Sequence, residues 1–291
     1  MTTIINIPIA DWSPECSVAI QEQALCGLEE GGVLFFPQLR FPVAELEVPF
    51  LSPAIAGKNK NVSFDSVTGK LQGTRVAEKE SRPLQAMMER YAAYSDALLR
   101  RLLPHYQTGL IRSRTSFRPV EVAERPSSWR KDDTRLHVDS FPSSPVQDKR
   151  ILRVFSNINP QGQSRRWRLG GSFESVAGRY LPSLSDPVRG VSRLLELCGI
   201  TKSRRSVYDH FMLQMHDRMK ADIDYQLNTE QINVEFPAGS TWITYTDQAA
   251  HAAMAGQFCL EQTFYLPVTD MQDPSQAPLR VLERLMNRKL T

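Results

Sequence analysis

His137, Asp139 and His251 are the residues whose types and spacing could do chemistry. The first two form a His-x-Asp pair in the stretch Thr-Arg-Leu-His-Val-Asp-Ser at 134–140. In an extended strand alternate side chains share a face, so both would point the same way. One imidazole, one carboxylate and a distant second imidazole can cap one side of a metal ion and leave its other positions free. Non-haem Fe(II) oxygenases use this arrangement to bind a co-substrate and O2. His-x-Asp alone occurs by chance in many chains, so its context has to support it.

The chain has five histidines, and the second imidazole can be sought by elimination. His105 follows a helix-ending proline, where a surface role is expected. His210 and His216 lie six apart on a predicted helix, which is not the three-or-four spacing that brings side chains together. His251 follows a strand-like run (Trp242 to Asp247) and a short turn. It precedes small residues and Gly256, an order that returns a histidine to a barrel mouth. An isolated histidine there is more often a satisfied core group, but beside His-x-Asp in a β-rich context the pattern favours a ligand.

Arg153 is the next candidate. It falls on one face of a β run with Ile151, Phe155 and Asn157, opposite Leu152, Val154, Ser156 and Ile158. A guanidinium on a buried strand needs an anion, because an unpaired buried charge costs several kcal/mol. That anion is either an internal Asp or Glu or the distal carboxylate of a 2-oxo acid held in a bidentate clamp. Arg165, Arg166 and Arg168 around Trp167, with Arg118 on an earlier strand, form a cationic and aromatic set. Such a run is usually a solvated face, but beside a metal it could hold a substrate rich in carboxylate or phosphate.

The elements that must position these residues follow from pattern. Ser13-Pro14-Glu15 reads as the start of a helix ending at Gly31-Gly32, followed by a buried strand at 33–36. Residues 41–73 are rich in Pro, Gly, Asn and Ser and read mostly as loop. Ser81-Arg82-Pro83 opens the clearest helix, with Leu84, Met87, Met88, Tyr91, Ser95, Leu98, Leu99 and Leu102 on one stripe until Pro104. Beyond it come short strands at 115–122, 136–141, 150–159, 232–236, 241–246 and 257–267, with a basic stretch at 163–173. A helical insertion at about 188–222 interrupts them, and a C-terminal amphipathic helix spans 278–290. Many short strands with Gly and Pro turns predict a mainly β fold with flanking helices: a double-stranded β-helix of jelly-roll, cupin or JmjC-like type. The expected organisation is one domain over 1–291. It divides into N-terminal support over 1–104, the β-helix over 105–270 and the terminal helix over 271–291.

Composition narrows the classes. Thirty-five Lys and Arg against 32 Asp and Glu give a net charge of only +3, too little for the field that drives nonspecific nucleic-acid binding. Four scattered cysteines without metal or disulfide spacing suit a reducing cytosol. No signal-like start and no apolar run of membrane-spanning length is present. A cytoplasmic protein is expected.

Over nearly its full length the chain resembles the bacterial Kdo 3-hydroxylases, Fe(II)/2-oxoglutarate-dependent dioxygenases. The likeness is carried by LEEGGVLFFP at 28–37, RLHVDSFP at 135–142, RILRVFSNINP at 150–160, the Trp167-Arg168 stretch, FPAGS at 236–240 and His251. It implies His137, Asp139 and His251 as Fe(II) ligands, with 2-oxoglutarate and O2 as co-substrates and ascorbate in support. Arg153 lies where related JmjC-like oxygenases keep a basic residue for 2-oxoglutarate. Many oxygenases of this fold place an Arg ten or eleven residues after the distal histidine, where this chain has Glu261 and Gln262. That departure favours Arg153, aided by Arg118 and Trp167, and leaves Arg165, Arg166 and Arg168 for substrate. The implied reaction hydroxylates C3 of 3-deoxy-D-manno-oct-2-ulosonic acid (Kdo) on lipid A, giving Ko, succinate and CO2. The acceptor would bring a cytosolic protein to the inner face of the inner membrane. A JmjC-like protein hydroxylase and a cupin-like binding module without turnover are the competing readings; the second leaves Arg153 unexplained.

Overall fold

Alternating apolar residues in the second half of the chain form most of two antiparallel sheets. In this computed structural model, which describes residues 2–57, 61–123 and 128–291, the strands are β1 (Ile4–Asn6), β2 (Val33–Phe36), β3 (Val62–Asp65), β4 (Lys70–Gln72), β5 (Ile111–Arg118), β6 (Lys149–Asn157), β7 (Arg165–Leu169), β8 (Ile232–Phe236), β9 (Thr241–Tyr245), β10 (His251–Ala255) and β11 (Cys259–Pro267). The large sheet has the order β1-β2-β9-β6-β11-β5-β3-β4, and the small one β10-β7-β8. All pairings are antiparallel except β1 with β2.

The helices are α1 (Val18–Glu29), α2 (Arg82–Leu102), α3 (Phe173–Tyr180), α4 (Val191–Leu197), α5 (Val207–Ala221), α6 (Ile223–Asn228) and α7 (Pro278–Met286). The expected stripe of α2 is buried throughout and packs on the face of the large sheet that carries Leu152, Val154 and Leu260. Tyr91 of α2 donates its hydroxyl to the Val154 carbonyl at 3.1 Å. The opposite face of the large sheet meets the small sheet in a second core. Val33, Phe155, Trp242 and Cys259 come from one side, and Trp167, Leu169, Phe236 and Ala253 from the other. Trp242 sits at its centre, stacked on Phe236 (4.0 Å between centroids, 7°) and on Phe155 (5.3 Å, 13°).

Several sequence expectations need correction. The first helix starts at Val18, with Ser17 as its cap (Oγ accepts from Ile20 N, 3.4 Å), not at Ser13. Trp12 is buried and donates its indole N–H to the Arg40 carbonyl at 2.9 Å, which holds the preceding segment outside the helix. Within the expected loop at 41–73, Val62 and Phe64 alternate inward and form a hairpin with β4; residues 58–60 of that loop lie outside the described residues. β5 ends at Arg118 rather than running to Val122, because Pro119 lacks the N–H a ladder needs. The insertion is three helices ending at Asn228. The unanticipated α3 is capped by Ser172, whose Oγ accepts from Ser175 N. α7 stops at Met286, where Asn287 takes a left-handed turn (φ 49°). No helix among the described residues is long and apolar enough to cross a membrane.

Candidate metal centre

The His-x-Asp segment is extended but is not a regular strand. It is joined to β10 by one bridge in which His137 and His251 exchange both backbone hydrogen bonds (3.0 and 2.9 Å). Asp139 N donates to the Thr246 carbonyl at 2.7 Å and Ala253 N to the Asp133 carbonyl at 2.8 Å, extending the contact to either side. Directly paired residues project side by side, so the bridge places the two imidazole centroids 4.7 Å apart. The two-residue period then brings Asp139 to the same side. One donor atom from each of His137, Asp139 and His251 lies within 4.8 Å of the others, and all three residues are buried.

Hydrogen bonding sets the tautomers. His137 Nδ1 lies 2.7 Å from the Arg135 carbonyl and His251 Nδ1 lies 2.9 Å from the Ala249 carbonyl. A carbonyl only accepts, so each Nδ1 carries the proton and each Nε2 keeps its lone pair for a cation. Burial drives both imidazoles to the neutral form, His137 down to about 3. Burial alone would raise the Asp139 carboxyl. The Arg153 guanidinium and the two imidazoles outweigh it and hold Asp139 well below the usual carboxylate range. Asp139 Oδ1 lies 3.7 Å from His137 Nε2, while its other oxygen, Oδ2, faces the Arg153 guanidinium. Two neutral imidazoles and one ionised carboxylate, with one donor atom of each converging, fit a divalent metal of the Fe(II) type.

Arg153 is not free. Its Nη2 lies 3.1 Å from Asp139 Oδ2 and its Nη1 3.2 Å from Glu261 Oε1. Glu261 Oε2 accepts from Arg118 at Nη2 (2.5 Å) and Nε (3.0 Å), and Arg118 Nη1 approaches Asp133 at 3.8 Å. The internal ion pair and the position beside the candidate metal ligands therefore coexist. Burial would raise the Glu261 carboxyl, and Arg118 and Arg153 together hold it below its ordinary value. This charged row separates two spaces. An inner chamber of about 60 Å³ is lined by His137, His251, Arg165, Trp167, Phe155 and Ala253 among others. An outer funnel of about 1,140 Å³ carries Arg114, Lys131, Lys149 and Lys202.

Strand alternation divides the expected cationic set. On β7, Arg165, Trp167 and Leu169 face inward while Arg166 is exposed. Trp167 stacks on His251 (5.2 Å, 24°), with its indole N–H unpaired in the chamber wall. Arg165 is 2% exposed and donates to the Gly256 carbonyl at 2.8 Å. Gly256 needs its φ of 107°, and a Cβ there would sit 3.0 Å from Arg165 Cα. Arg168 leaves the chamber and donates to the carbonyls of Thr134 (2.7 Å) and Gln226 (3.3 Å), so it braces the His137 segment instead of lining the cleft.

Sequence reasoning missed the contribution of α5 and α6. His216 on α5 lies edge-on to His137, 5.3 Å between centroids. The Gln226 amide on α6 accepts from Leu136 N (2.7 Å) and donates to Leu136 O (2.9 Å), pairing with it as a neighbouring strand would. The spacing that set His216 aside measured its distance from His210 alone, and nothing local links either residue to position 137.

Residues 11–289 match the family model described as 3-deoxy-D-manno-oct-2-ulosonic acid (Kdo) hydroxylase. No curated protein matches the chain. Among solved structures, the chain is 49% identical to the Kdo hydroxylase KdoO, a non-haem Fe(II) α-ketoglutarate-dependent dioxygenase. Its complex with α-ketoglutarate and Fe(III) superposes with a TM-score of 0.96, covering 100% of this chain and 98% of that one. Its cobalt(II) complex superposes at 0.97, covering 99% and 97%.

Proposed function

This chain belongs to the Kdo hydroxylase family, and on that premise we propose that it hydroxylates C3 of Kdo on lipid A, giving Ko, at the cytosolic face of the inner membrane. The fold is then a double-stranded β-helix acting as one unit. Fe(II), 2-oxoglutarate and O2 supply the oxidation and release succinate and CO2. The observation that carries the reading is the convergence of His137, Asp139 and His251 on one point with both Nε2 atoms available.

The chain's own residues bind and orient. His137, Asp139 and His251 would hold the metal on one side, leaving the side toward Arg153 and the funnel for co-substrate and acceptor. Asp133 and Asp139 line the chamber with Arg118, Arg153 and Arg165, Glu261 pairs with two of these guanidiniums from the funnel side, and Lys220 acts on both imidazoles, so the carboxylates do not outnumber the cations. With a divalent cation held by these residues, the surrounding guanidiniums would favour a dianionic 2-oxo acid beside it. Arg153 would take the distal carboxylate of 2-oxoglutarate, with Arg118 and Trp167 supporting it. Arg165 would hold charge at the inner wall. The cations of the funnel suit an acceptor bearing a sugar carboxylate and lipid phosphates, and neutral imidazoles keep the ligand set intact at neutral pH.

The test measures succinate formation from 2-oxoglutarate under air with Fe(II) and ascorbate, with and without Kdo-lipid A, for wild type and His137→Ala. Acceptor-dependent succinate, a product heavier by one oxygen and loss of both in the mutant are expected. Succinate formed equally without acceptor would reopen the substrate. No succinate from folded, iron-loaded protein would sink the oxygenase reading.

A further inference from the structure

The segment from Val188 to Ile200 carries apolar side chains that folding does not bury. α4 has no buried residue, and Val188, Val191, Leu194, Leu197 and Ile200 are between 43% and 75% exposed. They recur at every third position, so the three on the helix share one side. A contiguous exposed apolar row of this kind marks an interaction site, because a helix with such a row otherwise packs it on the core.

Cations frame the row. Arg189 and Arg193 project from the same segment, and Arg204, Arg205 and Lys289 line the adjoining groove of about 880 Å³. Lys289 is paired with Glu283 and Asp186 with Arg288, which leaves Asp148 and Glu196 as nearby acids against Arg189, Arg193, Arg204 and Arg205, a positive surplus. The groove borders the mouth of the metal cleft. Lys202 N donates to the Ser143 carbonyl (2.9 Å) and Arg205 to the Pro142 carbonyl (2.7 Å), and both acceptors are on the funnel wall.

We infer that Val188–Ile200 is a membrane-docking element. Its apolar row enters the interfacial layer of an anionic bilayer, and the flanking arginines meet lipid phosphates. The funnel then opens beside the surface from which a lipid-borne acceptor arrives. This deepens the proposed function and rests on its membrane-borne acceptor. A two-fold contact with a second copy would cover the same row, but it would bring the like-charged arginines of both copies into one patch. Anionic headgroups neutralise them instead.

The experiment sediments the full-length protein with phosphatidylcholine vesicles, with and without phosphatidylglycerol and free of any Kdo lipid. Wild type should bind the anionic vesicles and weaken with salt. In Arg189→Gln/Arg193→Gln each lost charge should lower affinity about fivefold. Leu194→Ser/Leu197→Ser should lose binding while keeping the wild-type mass by light scattering and wild-type turnover of detergent-dispersed Kdo-lipid A. Variants that bind like wild type, or that change oligomeric mass, overturn the inference. Wild type that turns over dispersed Kdo-lipid A but ignores anionic vesicles overturns the docking surface and leaves the acceptor standing. Vesicle binding with no turnover of any Kdo lipid removes the acceptor, and with it the purpose assigned to this surface.

Discussion

Replacing Gln226 should damage the metal centre from outside it. Its amide makes three buried hydrogen bonds: from Leu136 N (2.7 Å), to Leu136 O (2.9 Å) and to Met219 O (2.8 Å). Leu136 is fully buried and immediately precedes His137. Gln226→Leu keeps the volume and removes all three. Each buried group left unpaired costs about 1–3 kcal/mol, so a rigid response at Leu136 alone would cost about 2–6 kcal/mol. That is a large part of the roughly 5–15 kcal/mol by which domains are stable. Residues 133–139 are held to β10 by only a few hydrogen bonds, so the cheaper response is for the segment to swing outward and take water, carrying His137 with it. The expected result is a stability loss below the rigid figure and a fall of about 10–100-fold in divalent-metal affinity, the usual cost of losing a partner behind the ligands. Cobalt(II) titration followed by visible absorption reads the affinity, and thermal unfolding reads the stability. Tyr225→Phe is the control on the same helix, because that buried hydroxyl makes no hydrogen bond. Full-strength cobalt binding with unaltered spectra in Gln226→Leu, at any stability loss, would refute the argument.

Three further outcomes follow from the same geometry. Arg153→Met should raise the KM for 2-oxoglutarate by roughly 10–150-fold, the equivalent of about 1.5–3 kcal/mol for a charged hydrogen bond; an unchanged KM would show that another cation takes the distal carboxylate. Arg165→Ala should impair co-substrate-dependent turnover, whereas Arg166→Ala, one residue along but on the exposed face of β7, should stay within about 0.5 kcal/mol of wild type in stability and retain its turnover; equal effects would contradict the alternation. Glu283 accepts from Arg280 (2.5 Å) and from Leu290 N (3.1 Å), and although burial opposes them these bonds hold its carboxyl below the ordinary value. A depressed folded-state pKa stabilises above the unfolded value and is lost as pH falls through the folded one, so Glu283→Gln should flatten the acid limb of a stability-versus-pH curve, and an unaltered limb would show that the carboxylate does not anchor the C-terminus.

The convergence of His137, Asp139 and His251 was legible because its geometry is mostly local. The period of two puts His137 and Asp139 together, and the order of strand, turn and small residues returns His251 beside them. The same period also divides Arg165 from Arg166 and Arg168, so treating the three as one cationic set ignored information the sequence contained. His216 and Gln226, and the bracing role that Arg168 takes in place of the substrate role expected of it, were illegible for another reason. They act on the His137 segment across sequence separations of 34 to 90 residues where these are hydrogen bonded, and no periodicity encodes such a contact. The unburied row on α4 was likewise hidden, since an apolar helix reads as core until its lack of a partner is seen.

Glu261 shows how a departure in sequence becomes intelligible in space. Its position, ten residues beyond His251, is where many related folds keep an arginine, and read alone it signals only that the usual anion clamp is missing. In three dimensions its carboxylate holds two guanidiniums, Arg153 of β6 and Arg118 of β5, the strands that flank its own β11 on either side. On the proposed reading the anion clamp stands one strand across, and the glutamate fixes where Arg153 sits. Glu261→Gln would leave Arg153 with Asp139 as its remaining ion-pair partner among the described residues. On the proposed roles, that tighter pair would compete with a metal for Asp139 and with the 2-oxo acid for Arg153. Weaker binding of both ligands is expected from removing a carboxylate that itself touches neither.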